Sequence, residues 1–291
     1  MRRAAFILSL LILSLGDVWA GFYVPQNQRT IFMAATVAAG GGGPCPGELV
    51  TIPTAAIAVW MLDENTGVVS ADCVVSTRVG GFGGDSTAIT WNSTGGARGG
   101  AAVSDRPTTG YFAISNDDTW MSNHAGVTTG EQTLMACIEP RQLAIRDRTF
   151  WGKYGIDGTS YEYLMTWVNA SNTVRMVYNT TVGGTVSAFN SSATVMNQGA
   201  RNSVVTRFDR KQATGSWIKM FVNGNLMSGS SVTDTGTSAA TGSEMRFGTN
   251  GAGAGCYDCA DANMSFYVLL YANPTAADIA AFRDDCAALT P

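Results

Sequence analysis

Asn116-Asp117-Asp118, followed by Thr119 and Trp120, is the best concentration of oxygen donors beside an aromatic ring in the chain. Hard cations such as Ca2+ take carboxylate and amide oxygens, and a tryptophan face can stack on a sugar ring. This segment is therefore a candidate calcium and ligand site. Asp258 and Asp261 offer a second pair of candidate calcium ligands, in the loop between Cys256 and the last apolar run. Asn and Asp also bond to their own backbone in turns, and both segments are composed as turns. Trp151, Tyr161, Tyr163 and Trp167 are candidate stacking residues if they line an open sheet face. Alternate residues of a strand enter the core as readily.

Catalytic constellations are harder to build. Glycoside cleavage by the common route needs two carboxylates, about 5–5.5 Å apart when configuration is retained. On a strand that means acids at alternate positions. Glu48, Glu64, Glu131, Glu139, Glu162 and Glu244 each lack an acidic residue two positions away. His124 is the only histidine, in Met121-Ser-Asn-His-Ala-Gly126, with nothing resembling a nucleophile elbow beside it. Cys256-Tyr-Asp-Cys259 has no second CxxC to complete a zinc site and follows a glycine-rich loop, so it reads as a loop staple. These residues predict binding without catalysis.

Residues 1–20 have the layout of a secretory signal peptide. Arg2 and Arg3 precede the apolar run Ala4 to Leu15, and Val18-Trp19-Ala20 suits cleavage before Gly21. That run is short for a hydrocarbon core of ~30 Å. The expectation is a secreted mature chain without a membrane span. Six cysteines in an exported chain suggest disulfides, with about 15 complete pairings open. A net charge of −4, with 15 Arg and 3 Lys, argues against general nucleic-acid binding, which needs a basic face. Residues 21–52 read as an arm, Thr30 to Ala39, and a hinge rich in Gly and Pro. The arm could add a strand to a second copy, so a structural subunit of an extracellular or virion assembly is the alternative to a binding module.

From residue 53 to 291, short apolar segments alternate with turn clusters. They are Ala55 to Leu62, Tyr111 to Ile114, Thr133 to Ile138, Arg148 to Lys153, Tyr161 to Val168, Thr173 to Tyr178, Ser203 to Phe208, Trp217 to Val222, Met245 to Phe247 and Met264 to Tyr271. Without long helical periods between them, they predict an all-β, two-sheet antiparallel sandwich. Asn223-Gly224 predicts a two-residue type I′ hairpin. Val75 to Asp105, rich in Gly, Ser and Thr, predicts mostly loops and edge strands. One short C-terminal helix is expected after Thr275, with Thr275 as N-cap and Ile279, Phe282 and Cys286 on one face.

The order of these segments, from about Ala55 to Ala287, resembles a laminin-G-like domain of the concanavalin A-like superfamily. Ala58-Val-Trp60-Met-Leu62-Asp63-Glu64 resembles its entry strand, Thr133 to Pro140 a central strand, and Trp217 to Gly224 the strand ending in Val-Asn-Gly. Met245-Arg-Phe-Gly248, Tyr267 to Tyr271 and Thr275 to Phe282 complete the series. The resemblance implies a jelly-roll sandwich that recognises glycan or a cell-surface partner outside cells. Relatives carry an acidic residue where this chain has Ser265-Phe266, which weakens the calcium role the resemblance would bring. Laminarinase-type enzymes share the sandwich, but their Glu-x-Asp-x-x-Glu pattern does not occur here. Five Asn-x-Ser/Thr sequons (Asn92, Asn169, Asn179, Asn190, Asn263) arise readily in a chain of this composition.

Overall fold

The computed structural model describes residues 56–60, 62, 69–71, 79–83, 89–92, 100–103, 111–115, 121, 131–141, 148–154, 161–168, 173–179, 186–192, 196–209, 211–212, 217–232, 244–248, 262–270 and 272–288. The signal, arm and hinge fall outside the described residues, as do Asn116, Asp117, Asp118, Trp120, His124, Cys256 to Cys259 and Asp261.

In chain order the strands begin with β1 (Ala56–Trp60), β2 (Val69–Ala71), β3 (Val79–Gly83), β4 (Ile89–Asn92), β5 (Gly100–Val103) and β6 (Tyr111–Ile114). The long central strands are β7 (Glu131–Pro140), β8 (Arg148–Tyr154), β9 (Tyr161–Val168), β10 (Thr173–Asn179), β11 (Val186–Ser191) and β12 (Asn202–Asp209). β13 (Ile218–Val222), β14 (Asn225–Leu226), β15 (Gly229–Val232), β16 (Met245–Phe247) and β17 (Ala262–Leu270) lead to helix α1 (Ala276–Ala288). An eight-stranded sheet runs β14-β13-β12-β7-β17-β5-β4, with β1 also on β17. A nine-stranded sheet runs β15-β11-β10-β9-β8-β16-β6-β3-β2. Every described strand pair is antiparallel. The expected all-β, two-sheet sandwich with one C-terminal helix is what forms.

Alternation of side chains divides the core in two. Leu134, Ala136 and Ile138 of β7 and Val204 and Phe208 of β12 face the nine-stranded sheet, against Val174, Met176, Tyr178, Met245 and Phe247. Met135, Cys137 and Val205 lie on the opposite side, packed with Ile279, Phe282 and Cys286 of α1. The helix thus seals the outer face of the eight-stranded sheet. A disulfide, Cys137–Cys286, joins β7 to α1. Thr275 and Asp278 form a reciprocal cap: the Asp278 N–H donates to Thr275 Oγ1 at 3.2 Å and the Thr275 N–H to Asp278 Oδ2 at 2.8 Å. No described helix is long and apolar enough to cross a membrane.

The Asn223-Gly224 turn takes φ values of 51° and 78°, the signs a type I′ hairpin requires. Asn223 is fixed further by its own side chain, which accepts from the Ser203 N–H at 3.0 Å and donates to Asn202 Oδ1 at 3.1 Å. The Gly-rich stretch holds more strand than its composition predicts. β5 pairs on both sides, with β17 and β4, and β3 pairs with β2 and β6. Gly80 is needed there because the Phe112 ring lies over it: a Cβ would sit 2.1 Å from Phe112 Cζ.

At the end of β12, Asp209 is buried and fully occupied. Its Oδ2 accepts from Arg207 Nη2 at 2.9 Å, Gln212 Nε2 at 2.8 Å and Asn273 Nδ2 at 2.8 Å, and its Oδ1 from the Lys211 N–H at 2.9 Å. Burial alone would raise this carboxyl, but the four donors more than offset it and hold it below the usual carboxylate range. The network ties the β12 end to the loop between β17 and α1.

Candidate ligand-binding face

Of the sequence-predicted stacking residues, Trp151 is corrected by the structure: it is fully buried, edge-on to Tyr267 with ring centroids 6.2 Å apart. A bulge between Thr149 and Trp151 turns both Phe150 and Trp151 into the core, which simple alternation does not anticipate. Tyr161 and Tyr163 lie in β9, with Tyr163 opposite Tyr178, itself a buried core residue. The calcium candidates Asn116, Asp117, Asp118, Asp258 and Asp261, with Trp120, lie outside the described residues. Among the described residues no group of three His, Cys, Asp or Glu is placed to hold a metal.

The two sheets differ on their outer sides. α1 packs on the outer side of the eight-stranded sheet, whereas on the nine-stranded one Thr149, Gly152 and Val177 are buried and Arg175 is exposed. A single register row crosses all nine strands of that sheet: Val232, Ala188, Val177, Leu164, Gly152, Arg246, Ala113, Gly81 and Val69. Ala113 sits between the core residues Phe112 and Ile114, and Arg246 between Met245 and Phe247, so these two positions lie on the side away from the core, while Val177 and Gly152 of the same row are buried. Arg246 is its one charged residue.

Arg246 is held from two sides. Its guanidinium carbon lies 4.1 Å from the centroid of the Tyr111 ring, within cation–π range. Its Nε and Nη2 engage Glu244 Oε1, two residues back in the chain. The side chain of Arg246 is 16% exposed and that of Glu244 33%, so the pair is reachable from solvent yet fixed. In the row its neighbours are Ala113 and Gly152, which raise no side chain beyond a methyl beside it. A second cation, Arg175, is exposed on the same face, flanked in β10 by the inward Val174 and Met176. Aromatic ring, fixed guanidinium and carboxylate stand together here, a stacking surface beside a charged pair.

Sequence reasoning passed over Tyr111 and Arg246, each of which reads as an ordinary outward residue of a short strand. The one signal available was the preference for Arg over Lys throughout the chain, since Arg is the residue suited to planar, bidentate recognition.

No family model and no curated protein matches the chain. Solved structures do. A Trypanosoma rangeli sialidase in complex with the inhibitor DANA is similar at 14% identity with a TM-score of 0.54, over 80% of this chain and 33% of that one. The botulinum neurotoxin serotype D ligand-binding domain in complex with N-acetylneuraminic acid is similar at 9% identity with a TM-score of 0.57, over 79% and 50%. The binding domain of botulinum neurotoxin DC in complex with rat synaptotagmin II is similar at 10% identity with a TM-score of 0.55, over 80% and 52%. The chain spans a third to about half the length of these structures. At such identities the likeness is one of fold.

Proposed function

We propose that the chain is a secreted, non-catalytic binding module of the laminin-G-like, concanavalin A-like kind, which recognises glycan through the outer face of its nine-stranded sheet. The observation that carries this reading is Arg246, stacked on Tyr111 and braced by Glu244 in the middle of that face. Stacking surface plus a few fixed polar groups is what a shallow sugar site requires. The similar folds were solved with N-acetylneuraminic acid, with a sialidase inhibitor and with a cell-surface protein, which supports a glycan or a cell-surface protein as partner. Glu244, just before β16, is engaged with Arg246 and has no acidic residue two positions away, so it does not form the paired carboxylates of the common glycosidase route.

A glycan array probed with the purified mature protein tests the reading, run beside an assay for released reducing ends and released sialic acid. Saturable binding without product is expected. Absence of binding to every glycan, or turnover of any, overturns it.

A further inference from the structure

We propose that Asn223 is a site of spontaneous covalent modification gated by the fold, independent of what the module binds. Its side-chain amide survives while the β13–β14 turn is closed and is lost to a reaction with Gly224 when the turn opens. The sequence sets the Asn223 amide carbon next to a backbone nitrogen that no side chain hinders. Once the Gly224 nitrogen has given up its proton, it attacks Asn223 Cγ. A C–N bond forms there, the bond from Cγ to Nδ2 breaks, and Nδ2 leaves with that proton as ammonia. The product is a five-membered succinimide. Water then opens the ring at one or the other carbonyl, leaving aspartate or isoaspartate at position 223.

The closed turn holds the amide out of this reaction. The Asn223 N–H donates to the Ser203 carbonyl at 2.9 Å and Asn223 Oδ1 accepts from the Ser203 N–H at 3.0 Å, so backbone and side chain together grip one residue of β12. Asn223 Nδ2 donates to Asn202 Oδ1 at 3.1 Å. Asn202 is buried and its own amide is fixed. Its Nδ2 donates to the carbonyls of Asn197 at 3.0 Å and Ala200 at 2.7 Å, and its Oδ1 also accepts from the Asn197 N–H at 3.0 Å. To reach Gly224, the Asn223 side chain must leave both of its β12 partners. The same network rejects the product. A carboxylate at 223 has no N–H for Asn202 Oδ1 and sets one acceptor against another. Isoaspartate adds a methylene to the main chain of a two-residue turn. Neither rebuilds the closed turn, so the change is one-way.

The test incubates the chain from Gly21 onward, folded and in concentrated guanidinium chloride, at mildly alkaline pH, and maps aspartate and isoaspartate at each asparagine. Asn250-Gly251 is the one other Asn-Gly pair and calibrates the chemistry in the denatured chain, where it and Asn223 should convert at similar rates. In the folded chain Asn223 should convert about tenfold or more slowly than in denaturant, because only the open population reacts. Asn223→Asp should melt below the unaltered protein. Asn202→Ala, which releases Asn223 Nδ2, should speed conversion of Asn223 in the folded chain several-fold. If Asn202→Ala does not fold, denaturant below the unfolding midpoint replaces it, and conversion should rise with the open population. Equal rates at Asn223 in folded and denatured chains overturn the gate, as does a rate that neither Asn202→Ala nor mild denaturant raises. Conversion of Asn250 without Asn223 in the denatured chain overturns the site. An Asn223→Asp variant that melts with the unaltered protein overturns the claim that the closed turn rejects the product.

Discussion

The guanidinium carbon of Arg246 stands 4.1 Å from the centre of the Tyr111 ring, while Glu244 holds the same guanidinium by its edge. The two residues come from neighbouring strands, β16 and β6, paired through Arg246 opposite Ala113. Tyr111 should matter more for binding than for stability. A partly exposed cation–π contact contributes about 0.5–1 kcal/mol, so Tyr111→Ala should lower the melting temperature only slightly while loosening Arg246 and weakening glycan binding several-fold. Tyr111→Phe should match the unaltered protein in both. Melts and binding isotherms on the two variants check this, and equal affinities for Ala and Phe at this position would detach Tyr111 from the site.

Asp209 predicts a pH dependence. Its folded pKa lies below the unfolded value of about 3.9. Its contribution is therefore complete above that value and is lost as pH falls through the folded pKa. At pH 7, Asp209→Asn should destabilise by about 1.5–3 kcal/mol, the range for hydrogen bonds to a charged group. The gap should close as pH drops below about 4. Urea titrations between pH 3 and 7 measure it, and a constant gap would mean that Asp209 does not carry the charge its partners imply.

Glycine replacements separate close packing from backbone strain. At Gly80 a new methyl meets Phe112 Cζ at 2.1 Å, so Gly80→Ala should cost about 1–3 kcal/mol or more. Gly199 has nothing within 4 Å but a φ of +69°, so Gly199→Ala should cost about 1–2 kcal/mol from strain alone. Gly224→Val combines a φ of +78° with an approach of 3.1 Å to Arg283 Cδ and should harm folding far more than Ser228→Val. Denaturant midpoints rank the four variants. Gly80→Ala at the level of the unaltered protein would mean that Phe112 does not cover that strand.

The Cys137–Cys286 bond closes a span of 149 residues. Replacing both cysteines with serine should cost about 2–4 kcal/mol. Capping at Thr275 and the apolar contacts of Ile279 and Phe282 should still let the helix dock. Melting with and without reductant gives the comparison, and identical transitions would place this bond outside the folded chain's energetics.

How much of this could be read from the sequence depends on how local the cause is. The Asn223-Gly224 turn and the Thr275–Asp278 cap are set by residues within three or four positions, and both were legible. So were β6, β9 and β16, to the residue at both ends, because their apolar runs mark them. β3, with the sequence Val79-Gly-Gly-Phe-Gly83, looked like loop because the reason for Gly80 is an aromatic ring on another strand. β11 and β15 were missed because Ser, Asn and Gly dominate them, and their identity as strands comes from pairing. The site was less visible still. Trp151 carries an aromatic signature but a bulge sends it inward, and Arg246 acquires meaning only when the sheet order sets Tyr111 beside it.

The most direct test of the central claim is a residue-resolved NMR titration of the isotope-labelled chain from Gly21 onward with a sialyl oligosaccharide. The account predicts that shifts concentrate in Tyr111–Ile114 and Met245–Phe247, with Gly152 between β16 and β9, and that α1 on the opposite side stays unchanged. Shifts clustered on α1, or none at saturating ligand, would contradict it.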